Sequence, residues 1–185
     1  TVAMATTARL AEAGALVEDA AFAGHSLGEY TALSAYGRVM PVETTISIVF
    51  QRGSTMHSLV PRDADGASNY RMGALRPNQA GIKADEVEAY VRSISKATGE
   101  FLQIVNHNLA GVQYAVAGTI KGLDALAADA RAKAKARGGK NPFMFVPGID
   151  VPFHSEVLRP GVPEFRGRLL ELCLLYTSDA ADEED

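Results

Sequence analysis

Apolar residues along this chain alternate between helical spacing and short compact runs, and the changes between the two mark its elements. Val2, Met4, Ala5, Leu10, Ala13, Leu16 and Val17 form a helix-like opening stretch. Residues 20–23 are apolar and run straight into Gly24-His25-Ser26-Leu27-Gly28, after which 29–36 has strong helix-forming character until Gly37. This reads as strand, sharp turn, helix. Pro41 and Glu43 open another helix, in which Ile46, Val49, Phe50 and Gly53 recur at helical spacing, running to about residue 59. The stretch 61–69, rich in Asp, Pro and Gly, reads as a loop.

Beyond it the pattern predicts a strand at 70–76, a helix at 84–96 closed near Gly99, and strands at 101–107 and 113–117 joined by a short link. A long helix follows at 121–137 and a strand at 143–146. The order βαββαβ suits a ferredoxin-like subdomain. The long helix carries Asp124 and Asp129 early and Arg131, Lys133, Lys135 and Arg137 late, which complements its dipole on a solvated face; attraction of an acidic partner is the alternative. The expected fold class is α/β. Residues 1–69 and 147–172 supply part of a parallel, hydrolase-like sheet bearing Ser26, with a final helix at 165–172 and the ferredoxin-like subdomain inserted at 70–146. The chain starts at Thr1 without an initiator methionine, and 173–185 (CLLYTSDAADEED) turns abruptly small and acidic. A truncated fragment with a non-native tail at 173–185 is therefore expected.

Composition narrows the function classes. Hydrophobic residues at 47% and charged residues at 22% are ordinary globular values, and a net charge of −4 supplies no field for nucleic acid. The one cysteine, Cys173, excludes an intramolecular disulfide, and neither a signal peptide nor an apolar run of about 18 residues is present. A soluble, cytoplasmic protein without membrane or nucleic-acid partners is expected.

Candidate chemistry centres on Gly24-His25-Ser26-Leu27-Gly28. G-x-S-x-G between a strand and a helix is the nucleophile elbow, whose tight turn exposes the serine oxygen while the glycines admit neighbouring backbone. The alternative is a serine that merely caps the helix. In the elbow reading, the backbone N–H of Leu27 points at an oxyanion on the acyl carbon, and the helix dipole favours that charge. The hydroxyl needs a base, and there are four histidines: His25, His57, His107 and His154. His154 follows Val151-Pro152-Phe153, where proline fixes the backbone, and is the chosen base. His25 adjoins the serine and has difficulty turning onto it; His57 sits at a helix end; His107, between Asn106 and Asn108, reads as a polar turn residue. Arg52 lies beside the apolar stripe of its helix, where a solvated surface arginine is one reading; near a site its guanidinium would instead bind a carboxylate through two parallel hydrogen bonds.

Taken together, GHSLGEY around Ser26, FQRGSTMH around Arg52, IVNHN around Asn106 and VPGIDVPFHS around His154 resemble, in order and spacing, the malonyl-CoA:acyl-carrier-protein acyltransferases. VPRDADGASNYRMGALRP and GIDVPFHSEVLRPGV are similar to the malonyl/palmitoyl transferase domain of fungal and mycobacterial type I fatty acid synthases. The resemblance covers about residues 10–172. It implies that Ser26 is acylated, that His154 is general base and acid, oriented by backbone carbonyls, and that Arg52 pairs with the malonyl carboxylate. Asn106 matches a polar position that shapes the site, and Phe153 matches the bulky residue associated with malonyl rather than methylmalonyl. Malonyl-CoA and coenzyme A are then substrate and product. The phosphopantetheine of an acyl carrier protein is the acceptor arm, other fatty acid synthase domains are partners, and no metal or bound cofactor is expected. The family's N-terminal glycine- and glutamine-containing loop, which completes the oxyanion hole, has no match here, so reduced or absent activity of the fragment is expected. Two other classes remain open: a serine hydrolase or thioesterase with water as acceptor, and a non-catalytic docking or structural segment of a multienzyme.

Overall fold

A computed structural model describes residues 2–17, 19–36 and 40–179. Gly37, the expected helix terminator, and residues 180–185 of the expected tail lie outside them. The chain divides into two units, one made of Thr1–Thr55 with Val162–Asp185 and the other of Met56–Gly161.

The first part of the chain forms helices α1 (Val2–Glu12), α2 (Leu27–Thr31) and α3 (Val42–Ser58), and α2 passes directly into a π-helical turn at Ala32–Tyr36. Residues 20–23 do not form the expected strand; they are exposed and irregular. A strand is a paired object, needing a neighbour for its N–H and C=O groups, and the described residues place none beside this segment. Every strand pairing among them is antiparallel, so the parallel sheet expected around Ser26 is not seen there.

Helix α3 buries a different face from the one its apolar residues suggest. Thr45, Ile48 and Thr55 are buried, whereas Phe50 is 68% exposed and Ile46 45%. Threonine behaves amphipathically here: Thr45 Oγ1 donates to Pro41 O at 3.0 Å, so its hydroxyl is satisfied within the helix and its methyl can be buried. Positions 45, 48, 52 and 55 share one helical face. Arg52 therefore lies on the buried side of α3, not beside an outward stripe.

In the second unit β1 (Tyr70–Leu75) leads through a short helix α4 (Pro77–Ala80) to α5 (Val87–Thr98). Strands β2 (Leu102–Leu109) and β3 (Gln113–Thr119), helix α6 (Ile120–Arg137) and β4 (Phe143–Phe145) follow. Apart from α4, this is the expected βαββαβ order. The strands form one sheet in the order β2-β3-β1-β4. Leu75 pairs with Tyr114 on one side and Phe143 on the other, so the three side chains share a face. That face and helices α5 and α6 enclose the core, with Leu75, Val87, Val116, Leu123 and Leu126 fully buried. Gly99 and Gly138, both in the left-handed region, close α5 and α6. Thr119 opens α6 by accepting from Gly122 N at 3.2 Å. Tyr90 of α5 donates to Asp129 of α6 at 2.8 Å; burial first, and then this bond, raise the phenol far above its ordinary pKa.

A 3₁₀ turn at Glu156–Gly161 precedes the final helix α7 (Val162–Asp179). That helix starts before the expected position 165 and continues through Cys173, into the stretch expected to be a separate tail. No helix among the described residues is long and apolar enough to cross a membrane.

Candidate active site

Ser26 sits at the N-cap of α2 with φ 53° and ψ −107°, outside the regions ordinarily open to an L-residue. Such a conformation costs on the order of 1–3 kcal/mol and persists only where neighbouring structure imposes it. Two bonds impose it here: Gly28 N–H donates to His25 O at 2.9 Å and Glu29 N–H to Ser26 O at 3.1 Å. The turn is so tight that a Cβ on Gly24 would collide with the backbone of Gly28 and Glu29, whereas a Cβ on Gly28 would meet nothing. The Ser26 hydroxyl makes no capping bond to α2, which removes the reading of Ser26 as a simple helix cap. Gly24→Ala is expected to suppress labelling of Ser26 by a serine-directed fluorophosphonate far more than Gly28→Ala does; the reverse order would contradict this account of the turn.

The Ser26 oxygen accepts instead from Arg52, whose Nη2 lies 3.3 Å away. The Arg52 guanidinium carbon is also 5.8 Å from the centre of the Tyr30 ring, a cation–π contact that steadies a long side chain. Helix α2 thus supplies nucleophile and ring, and the half-buried face of α3 supplies the cation.

His154, Phe153 and Asn106 belong to the second unit. Val151, Pro152 and Ser155 are buried, and Ser155 Oγ donates to Pro152 O at 2.6 Å, closing a small turn. Within it Phe153 is half-buried, its N–H donating to Val151 O at 2.9 Å. His154 is exposed and held at φ 61° between these anchored neighbours. Asn106 is half-buried on β2, between two register shifts that bend this edge strand.

The other histidines are engaged elsewhere. His107 lies within β2 rather than at its end, with Nε2 3.4 Å from Glu88 and its ring edge-on to Tyr114. His57 Nδ1 lies 3.0 Å from Arg62 Nη2. His25 is exposed and contributes its carbonyl to the elbow. Among the described residues no group of His, Cys, Asp and Glu is arranged to hold a metal ion.

Ser26, strained at a helix start, thus carries a guanidinium on its oxygen. The acyl transferase domain model matches residues 1–138. The chain belongs to the acyl transferase domain family. It is 34% identical to the fatty acid synthase subunit beta of Saccharomyces cerevisiae over 84% of this chain and 10% of that protein. The fold is similar to FabD of Acinetobacter baumannii, at 27% identity and a TM-score of 0.68 over 90% of this chain and 47% of that one. An acyl carrier protein S-malonyltransferase of Vibrio cholerae is 28% identical, with a TM-score of 0.66 over 91% and 49%. The chain spans about a tenth of the synthase subunits it matches and about half of these solved structures.

Three contacts of this acyl transferase domain were not anticipated from its sequence. Tyr30 lies in the GHSLGEY motif, but only the fold shows it against Arg52. Arg62 makes paired hydrogen bonds to Asp150, Nη1 to Oδ2 and Nη2 to Oδ1, the second at 3.2 Å. Those bonds hold the Asp150 carboxyl below its usual range, against the opposing effect of burial and with help from the charges of Arg62 and Arg71. Gln103 Oε1 accepts from Glu156 N at 2.9 Å. Arg62 and Asp150 both lie in the motifs that carry the family resemblance, which is the signal that could have singled them out.

Proposed function

We propose that the chain transfers malonyl groups, with palmitoyl as a second acyl substrate, from coenzyme A to the phosphopantetheine thiol of an acyl carrier protein. Ser26 attacks the thioester carbonyl while His154 takes its proton. The C–S bond breaks, and His154 returns the proton to the departing coenzyme A thiol. His154 then deprotonates the carrier thiol, which attacks the acyl-serine; the C–O ester bond breaks, and His154 returns the proton to Ser26 Oγ. The N–H of Leu27, in the first turn of α2 where N–H groups lack intrahelical acceptors, stabilises the oxyanion. Asn106 and Phe153 shape the acyl site. In this reading the elbow belongs to a hydrolase-like core (1–69 and 147–172), and the βαββαβ unit at 70–146 is a ferredoxin-like insertion. The domain acts in the cytoplasm beside other fatty acid synthase domains, without a metal or bound cofactor.

The observation that carries this reading is Arg52 Nη2 at 3.3 Å from Ser26 Oγ. A guanidinium in contact with the nucleophile can pair only with a carboxylate close to the attacked carbon. In a malonyl thioester one methylene separates the two carbonyl carbons, about 2.5 Å apart from standard bond lengths. Longer dicarboxylic thioesters put the carboxylate farther away, and acetyl or palmitoyl chains offer no charge to pair. A simple thioesterase leaves the cation on its nucleophile without a purpose.

Arg52→Ala should therefore cost malonyl transfer about 2–5 kcal/mol, as for loss of one partner of a desolvated charge pair, while palmitoyl transfer is retained or improved. Arg52→Lys should recover only part of the malonyl activity, because a point charge cannot reproduce the fork. The readout is the ratio of malonyl to palmitoyl transfer rates. A ratio unaffected by Arg52→Ala would overturn the substrate assignment.

A further inference from the structure

The segment that carries His154 is fixed by side chains on both of its flanks. Ahead of it, Asp150 receives the two-pronged hydrogen bond from Arg62, joining residues 88 positions apart. Behind it, Glu156 N–H is held by Gln103 Oε1 at 2.9 Å. Arg62 is itself well placed: Nη1 also donates to Gly66 O at 2.8 Å, and Nη2 lies 3.0 Å from His57 Nδ1.

Exposed ion pairs contribute little to stability, but this pair is not built like one. The Arg62 side chain is only 17% exposed against 40% for Asp150. Its Nε is buried with no hydrogen-bond partner among the described residues. An unsatisfied buried donor is a cost, and a lysine would avoid it while keeping the charge. What a lysine lacks is the planar fork, which fixes the orientation of a carboxylate as well as its distance. The residues between Asp150 and His154 are short of slack, since Val151 and Pro152 are buried and Phe153 N–H is tied to Val151 O. The orientation of Asp150 is thus passed along a constrained chain to the backbone of His154, whose φ of 61° needs support from its surroundings.

We propose that Arg62 and Asp150 are positioning residues for His154, setting the direction in which its ring is presented without touching substrate. The proposal rests on the assignment of His154 as the base. Its geometric core, that the pair governs the setting of His154, is separately measurable.

The experiment uses the chain with ¹³C-labelled histidine. It follows the His154 ring resonance, assigned by its loss in His154→Ala, alongside steady-state malonyl transfer. Asp150→Asn should shift and broaden that resonance and lower kcat roughly 10- to 100-fold, as for a misplaced catalytic group, with little change in KM for malonyl-CoA. Arg62→Met should do the same, and the double variant should be no worse than either single one, because both remove one interaction. Arg62→Lys should fall between, and Glu88→Gln, which breaks the His107 pair, should move only the His107 resonance. If Asp150→Asn fails to fold, seen as loss of slow amide exchange in α6, the charge-preserving Arg62→Lys decides by the same two readouts. An unmoved His154 resonance with undiminished kcat, or losses that add in the double variant, would overturn the proposal. If the wild-type chain transfers no malonyl at all, the functional reading fails while the His154 resonance still decides whether the pair positions the ring.

Discussion

Replacing His154 with alanine should slow acylation of Ser26 and transfer to the carrier thiol together, each by about 10²–10⁴-fold, the range for a lost general acid–base. The shared loss is the informative part, because in the proposed mechanism one ring takes the proton of Ser26 in the first half-reaction and that of the carrier thiol in the second. Rapid-quench measurement separates them: coenzyme A released per chain reports acylation, and decay of pre-formed acyl-chain on adding carrier reports transfer. His25→Ala and His107→Ala should leave both rates nearly unchanged. His107 is occupied by Glu88 and Tyr114, and His25 serves the elbow through its carbonyl, which alanine also has. A loss confined to one half-reaction, or an equal loss from His25→Ala, would mean that the base has been misassigned.

The parts of this fold that could be read in advance are those decided by local chemistry. In the βαββαβ region short apolar runs mark the strands, and the helices end at Gly99 and Gly138, each in the left-handed conformation that favours glycine. Helix α4 has only four residues, too few for a periodic signal, though Pro77 in its first turn is consistent with a helix start. The buried face of α3 escaped because two of its three buried residues are threonines, which a division into apolar and polar counts on the wrong side. Residues 20–23 have a strand's composition, but pairing is settled by what lies alongside, which one segment does not encode.

The candidate site divides in the same way. The tight turn at Ser26 was legible because the elbow is a contiguous motif whose glycine spacing has a steric cause, seen in the closeness of Gly24 to the Gly28 backbone. Arg52 was legible as a family position, but its contact with Ser26 spans 26 residues and depends on which face of α3 is buried. Arg62 and Asp150 each lie in a family motif, but their pairing across 88 residues has no local signature. Long-range charge pairing becomes visible only when the fold brings the partners together.

The central claim is that acyl transfer passes through a covalent ester on Ser26, and it can be tested on the chain directly. The Ser26 hydroxyl makes no capping bond to α2 and accepts from Arg52. Alanine at this position removes the only atom that can carry the ester and leaves the small side chain that the turn requires. The measurement is the mass of the Ser26-containing peptide after incubation with malonyl-CoA, acid quench and digestion, in the wild-type chain and in Ser26→Ala. The account predicts one malonyl group on that peptide in the wild-type chain and none anywhere in Ser26→Ala. A Ser26→Ala chain that still takes up malonyl, or a wild-type chain labelled at another residue while Ser26 stays unmodified, would contradict it.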